Sequence, residues 1–525
     1  MIERSRFSRN VLGFASAALI SKIFGYIRDA MIVCTFGGGW ITDSYYAAFR
    51  ITNFFKRTLG EGSLNPSFIP AMEKEKNLGM ENAQKLLNSV LTVALIISIL
   101  ISAAGIVFAA QIVKYTAYGI SLDREQFRLT VILTVILMPH IIFVAASAIF
   151  SGTLNVSRKF FYPALIPSSF SLLIIIYLAA ANSGWFGGFP ETLKIKGLAL
   201  TAALSGIAQT LFLMRFLAKE GYRLRLDISI DKSKLYAIML PAVPATISIA
   251  SEQLSMFINT IYASFLEPGS ITAIYNSARI IQFPVALFGV SAATVSLPEL
   301  SKNSALSREE EFKSMFNFSI KTTLIVVIPA ALGLMILAEP VTRALFEHGK
   351  FSYSQSVLTS MILFYLSIGV VAYGVNKISA TAYYATGDIL TPFKIIILQI
   401  ALQIVFALLL VDHMGAAGLG AATSISSIIA CFIFLRKLRT RFCGIFEKNL
   451  GIFFLKTLLA AAVMAALTKT AWFYLFKTRI FLTAVVLIPC SIAVYFWLLK
   501  MFKIEERKNI TDMFNPNSSV GIWEL

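Results

Sequence analysis

Apolar stretches of about 20 residues recur from one end of the chain to the other, separated by short polar breaks. A helix needs about that length to cross ~30 Å of hydrocarbon, whereas a membrane barrel would show ~10-residue segments of alternating polarity. The pattern predicts an all-α polytopic membrane protein of about fourteen transmembrane helices. The spans fall at 10–35, 41–70, 87–112, 129–154, 161–182, 197–219, 235–265, 271–298, 317–338, 355–386, 392–411, 416–435, 451–474 and 480–501. The longest polar connection, at 215–234, is a linker too short to hold a soluble domain. Arg4, Arg6 and Arg9 before the apolar run 11–20 resemble the start of a signal peptide. Lys22, Arg28 and Asp29 follow without a convincing cleavage site, so the segment reads as a retained first span.

Hydrophobic residues make up 57% of the 525 positions and charged residues 14%, too few to coat a soluble protein of this size. The net charge of +18 could suggest a nucleic-acid partner, but its distribution does not. With the N-terminus in the cytoplasm, one set of alternate loops and both termini carry about 27 Lys and Arg against about 10 in the opposite loops. That asymmetry orients the protein in an inner membrane with both termini cytoplasmic, its excess charge meeting anionic membrane lipids. The four cysteines (Cys34, Cys431, Cys443, Cys490) lack metal-ligand spacing, and the three histidines (His140, His348, His413) are far apart, so no metal site or cofactor is expected.

The chain also matches itself. Tyr46-Ala-Ala-Phe-Arg50-Ile-Thr-Asn-Phe54 parallels Tyr275-Asn-Ser-Ala-Arg279-Ile-Ile-Gln-Phe283, and the register continues through Pro70 with Pro298, Pro163 with Pro392, and Gly197…Arg215 with Gly418…Arg436. An offset of roughly 220 to 230 residues, kept in order, implies two six-helix lobes in the same orientation with a cavity between them. The expected organisation is an N-lobe at 1–225, a C-lobe at 226–440, and two added helices with a cytoplasmic tail at 441–525.

Ionisable groups at the centre of a span cost at least ~2.5–3.5 kcal/mol each and therefore face protein or water. The first span holds Lys22 and Asp29 on one face, with Arg28 about 120° away on a regular helix. In the second, Asp43, Arg50 and Arg57 form one stripe with Lys56 beside it; Arg279 and Lys377 lie in the eighth and tenth spans. Some of these would snorkel or pair, Lys56, Arg57 and Asp43 most readily. Bases nevertheless outnumber acids, so a cationic, water-filled cavity is expected, suited to a phosphate or pyrophosphate that arginine binds bidentately.

Phe24-Gly25-Tyr26-Ile27-Arg28-Asp29, Thr42-Asp43-Ser44-Tyr45-Tyr46-Ala47-Ala48-Phe49-Arg50, Glu61-Gly62-Ser63 and Phe68-Ile69-Pro70 resemble the N-terminal signature of the MurJ (MviN) lipid II flippases. Leu297-Pro298-Glu299-Leu300-Ser301-Lys302, Leu345-Phe346-Glu347-His348-Gly349-Lys350-Phe351 and Ala382-Tyr383-Tyr384-Ala385-Thr386-Gly387-Asp388 continue it over nearly the whole chain. The resemblance implies a MATE-like fold whose last two helices form a lipid-tail groove. It also implies alternating-access movement of lipid II to the outer leaflet, as a monomer serving the cell-wall synthesis machinery. It places the cavity cations on Lys22, Arg28, Arg279 and Lys377, with functional acids at Asp43 and Glu61; Asp29, Arg50, Lys56 and Arg57 are supporting or gating candidates. Gln282 stands where an acidic partner one turn beyond Arg279 is expected.

No G-x-x-x-x-G-K-[ST] segment is present, so coupling to the membrane potential, sodium or protons is expected rather than ATP. Asp388 and Asp412 are candidate ion ligands only as acids near C-lobe helix ends, and read more readily as solvated loop residues. A MATE-type drug exporter would favour acidic and aromatic cavity residues, and the motifs argue against an O-antigen-type flippase. An enzyme would need paired carboxylates or a His/Asp constellation that the sequence lacks.

Overall fold

A computed structural model describes residues 2–58, 65–184, 187–225, 227, 253–285, 291–442, 444–476 and 486–504. Glu61, Cys443, most of the span expected at 235–265 and the C-terminal tail from 505 lie outside the described residues. All regular structure among the described residues is helical. The chain divides into two compact units, Met1–Thr272 with His348–Phe351, and Ala273–Glu347 with Ser352–Leu525.

The first unit contains α1 (Ile2–Phe36), α2 (Trp40–Lys56), α3 (Asn65–Asn77), α4 (Met80–Val107), α5 (Ala109–Thr116), α6 (Arg124–Leu137), α7 (His140–Val156), α8 (Phe161–Asn182) and α9 (Glu191–Lys219). Pro139 has no N–H to give the helix ladder, so the span expected at 129–154 is two helices, α6 and α7, in line across it. The segment expected as one span at 41–70 contains α2 and the start of the polar α3. α1 lies along α8, where the Ser21 hydroxyl donates to the Ala164 carbonyl at 2.9 Å and meets the Ser168 hydroxyl at 2.6 Å. Phe68, Met72, Leu87, Leu154 and Leu213 close a core among α3, α4, α7 and α9.

Beyond α9 the chain runs back along α4. The amides of Arg223, Arg225 and Asp227 donate to the side-chain oxygens of Gln84 (2.6 Å), Asn88 (3.2 Å) and Thr92 (3.0 Å). Every second residue of this strap meets every fourth residue of the helix. Two extended residues advance ~6.6–6.8 Å and four helical residues ~6.0 Å, so the registers match. Asn88→Ala is expected to speed amide exchange at Arg225 and Asp227 roughly tenfold, the effect of one lost hydrogen bond of about 1.4 kcal/mol. Exchange mass spectrometry in detergent checks this; unchanged protection at both amides would show that Asn88 does not hold the strap.

The second unit takes up most of α10 (Ser270–Pro284), then α11 (Ser291–Ala305), α12 (Glu309–Ile336), α13 (Ala338–Phe346), α14 (Tyr353–Ile368), α15 (Val370–Ala385), α16 (Leu390–Met414), α17 (Ala416–Arg441), α18 (Leu450–Ala471) and α19 (Ile488–Met501). The span expected at 355–386 is broken at Gly369 into α14 and α15, which are bent by 46°. Ser424 on α17 fixes the break, accepting from the Gly369 amide at 3.1 Å and donating to the Tyr365 carbonyl at 2.7 Å. α16 is built inside out. Ile397, Leu398, Val405, Leu408 and Leu409 are exposed along one stripe, while Gln403 is buried and donates to Thr423 at 3.2 Å. Such an apolar stripe is a lipid-facing surface. α19 is tied to α12 by Tyr495, whose hydroxyl donates to the Ile325 carbonyl at 2.6 Å, and the turn before α18 by the Lys321–Glu447 ion pair at 2.6 Å.

Eight helical spans among the described residues are long and apolar enough to cross a membrane, or nine with α14 and α15 taken as one. The other expected spans fall on α1, on α2 with α3, on α10 with α11, and on stretches partly outside the described residues. The chain is an all-α polytopic membrane protein.

Candidate functional site

Arg28 and Asp29 lie deep in α1, with relative exposures of 7% and 1%. Successive residues on a helix point about 100° apart and do not normally meet. Here the Arg28 guanidinium folds back on its neighbour, its Nε at 2.8 Å and Nη2 at 2.6 Å from the same oxygen, Oδ1 of Asp29. The same guanidinium sits 5.2 Å from the ring centroid of Phe170 on α8. Lys22, two turns earlier on α1, is half-buried.

On α2, Asp43 and Arg50 of the expected stripe have side-chain partners. Asp43 is buried and accepts from the Gly269 amide at 2.6 Å, the Thr272 amide at 2.8 Å and the Thr272 hydroxyl at 2.7 Å. These donors surround the start of α10, where a helix leaves its first amides unsatisfied and its dipole favours an anion. Gly269 adopts φ +102°, and a Cβ there would collide with the Gly38 carbonyl oxygen, so the close approach requires glycine. One turn pair further along, Arg50 donates to the Met256 carbonyl at 2.6 Å and to the Thr260 hydroxyl. Lys56 reaches Phe170, its Nζ 5.6 Å from the centroid. Arg57 forms the end of α2, its amide turned back to the Asn53 and Phe54 carbonyls. Sequence reasoning passed over Phe170, Gly269 and Thr272, because nothing local separates a hub phenylalanine from its apolar neighbours in α8.

In the second unit Arg279 is half-buried on α10, one turn after the fully buried Asn276; Ser277 beside it donates to the Thr359 carbonyl of α14 at 2.8 Å. Gln282 follows on the same helix. Lys377 is half-buried on α15 next to Asn376, which donates to the Ser427 carbonyl of α17 at 3.1 Å.

Asp388, at the turn between α15 and α16, accepts from the Thr391 amide at 3.0 Å, the Thr391 hydroxyl at 2.8 Å and the Arg441 guanidinium. Burial alone would raise its pKa, but these donors outweigh burial and hold the carboxyl below the usual carboxylate range. A carboxyl depressed on folding stabilises the fold above its unfolded pKa of about 3.9, and that contribution disappears as pH falls through the lower folded value. Asp388→Asn is therefore expected to cost about 1 kcal/mol at pH 7, screening around the half-exposed Arg441 keeping it small. The difference from wild type in thermal unfolding should narrow below about pH 4; a gap that widens with acid would contradict the assignment. Among the described residues, no group of three or more His, Cys, Asp or Glu side chains could hold a metal ion.

A profile of the family described as lipid II flippase MurJ matches residues 32–487. The lipid II flippase MurJ of Burkholderia cenocepacia is 30% identical over 466 residues, covering 87% of this chain and 89% of its own. The probable lipid II flippase MurJ of Buchnera aphidicola is 30% identical over 447 residues, covering 85% and 86%. Among solved structures, a lipid II flippase MurJ in an inward closed conformation matches with a TM-score of 0.76 at 26% identity, over 93% of this chain and 98% of that one. A MATE-family multidrug resistance transporter of the MOP superfamily, inward-facing, matches at TM-score 0.69 and 15% identity over 83% of this chain and 98% of its own, a likeness of fold alone. The MATE-like fold, the ordered motifs and the profile match agree: the chain is a multi-pass bacterial membrane transporter and belongs to the lipid II flippase MurJ family.

Proposed function

We propose that this family member carries lipid II, the undecaprenyl-pyrophosphate-linked peptidoglycan precursor, from the inner to the outer leaflet of the inner membrane by alternating access. One observation carries the assignment to particular residues: a buried arginine, Arg28, on a membrane helix, its planar donor edge already engaged by a carboxylate oxygen. A group built to chelate one oxyanion in a low-dielectric setting suits a phosphate oxygen equally well. Lys22, Arg28, Arg279 and Lys377 are the proposed pyrophosphate-binding cations; Asp29, Asp43, Arg50, Lys56, Arg57 and Glu61 support or gate them. Residues 1–225 and 226–440 act as the two lobes, and 441–525 supply the helices along which the polyprenyl tail stays in lipid. Both termini are cytoplasmic, a reading supported by the positive-inside asymmetry. The chain works as a monomer alongside the cell-wall synthesis machinery. A membrane potential acting on cavity charge supplies ~2.3 kcal/mol per charge per 100 mV, with sodium or proton movement as further sources of drive.

The test is depletion in cells that rely on this chain alone. Lipid II is expected to accumulate in the cytoplasmic leaflet while its synthesis continues. Undiminished delivery to the outer leaflet after depletion would overturn the reading.

A further inference from the structure

Phe170 is a buried ring on α8 that gathers charged and aromatic groups from three other helices. The Arg28 guanidinium of α1 lies 5.2 Å from its centroid and the Lys56 ammonium of α2 lies 5.6 Å from it. Phe49, two turns before Lys56 on α2, stacks on it at 6.2 Å with an interplanar angle of 25°, and His140 of α7 tilts against it at 5.6 Å. Phe49 and Lys56 are seven residues apart, so one face of α2 delivers both.

Two cations within about 6 Å of one ring centroid can be no farther apart than the sum of their distances to it. A phenyl ring attracts each cation through its quadrupole, most effectively where water is excluded. Unlike a carboxylate, the ring adds no negative charge of its own beside the Arg28–Asp29 ion pair. Asp29 chelates Arg28 through Nε and Nη2, and the ring contact is made as well, which fixes the guanidinium from two directions.

We infer that Phe170 is a positioning residue for transport. Its ring holds Arg28 and Lys56 as a paired cationic platform for the two phosphoryl groups of a diphosphate. The inference rests on the proposed role of Arg28 in pyrophosphate binding and adds Lys56 as its partner, through a residue that carries no charge. Holding both cations in advance removes the ordering cost that binding would otherwise meet.

The experiment uses the full-length chain in detergent micelles with lipid II as the probe. Phe170 is replaced by phenylalanines carrying one, two or three ring fluorines, which drain the quadrupole while nearly preserving shape, and by Phe170→Leu, which keeps apolar bulk and removes the ring. Lipid II affinity is expected to fall stepwise with fluorination and about tenfold in Phe170→Leu, with Phe170→Trp at or above wild type. A merely packed phenylalanine would give a flat fluorination series, and that result overturns the inference. Arg28→Ala is measured in parallel. If it binds lipid II as wild type does, the underlying site assignment fails; if it loses binding while the fluorinated series stays flat, only the Phe170 platform fails.

Discussion

Arg28→Ala will reduce delivery of lipid II to the outer leaflet by roughly a hundredfold or more, the loss of two charge-assisted hydrogen bonds of about 1.5–3 kcal/mol each. The measurement is outer-leaflet lipid II in cells in which the variant is the only flippase, normalised to protein in the membrane. Normalisation matters because Arg28 and Asp29 are both buried, and removing one leaves the other charge without its ion pair. A fall in protein level could then imitate a loss of transport. The double variant Arg28→Ala, Asp29→Asn separates the two effects. It removes the stranded carboxylate, so protein level is expected to recover while transport does not. Arg28→Lys should be intermediate, keeping a charge near Phe170 but losing the planar fork that spans two oxygens. Normal delivery by Arg28→Ala at normal abundance would remove Arg28 from the proposed site.

The same pair shows where sequence reasoning stopped. The helix wheel set Asp29 on the face of Lys22 and turned Arg28 away, yet the long arginine side chain bends back to its neighbour. Wheel positions fix where a Cβ points, and a flexible four-bond side chain can cross that angle. Apolar runs and the ordered motifs were legible because each repeats along the chain or is read over several adjacent residues. The breaks within spans were less so: Pro139 announces one, whereas Gly369 looks like any helix glycine until Ser424, 55 residues away, fixes its amide. Phe170 is the extreme case. Its function would come from Arg28, Lys56 and His140 arriving from other helices, and no local pattern in α8 encodes that arrival. The Asp43 stripe was legible as a stripe, but its partners were not, because a carboxylate on an apolar helix suits a cation or a helix start equally well.

That start of α10 is what Asp43 holds, and its removal should be the largest single loss of stability among the residues considered. The carboxylate takes donors at 2.6, 2.7 and 2.8 Å from Gly269 and Thr272. All three donors are buried with it, so Asp43→Ala strands them out of reach of bulk water. Hydrogen bonds to a charged acceptor are worth about 1.5–3 kcal/mol each, but their losses are not additive, since the loop can relax. A net cost of about 3–5 kcal/mol follows, the range for breaking a buried charged network. Asp43→Asn keeps one acceptor oxygen and turns an amide NH2 toward groups that are themselves donors, so it should recover less than half of that loss. Thr272→Val removes a single hydroxyl donor and leaves the carboxylate on two amides; about 1–2 kcal/mol is expected. Thermal or denaturant unfolding of the purified chain in detergent gives the order wild type, Thr272→Val, Asp43→Asn, Asp43→Ala. If Asp43→Ala were no less stable than Thr272→Val, the carboxylate would not be what secures this helix start. Its place on a membrane helix would then have to be explained by transport alone.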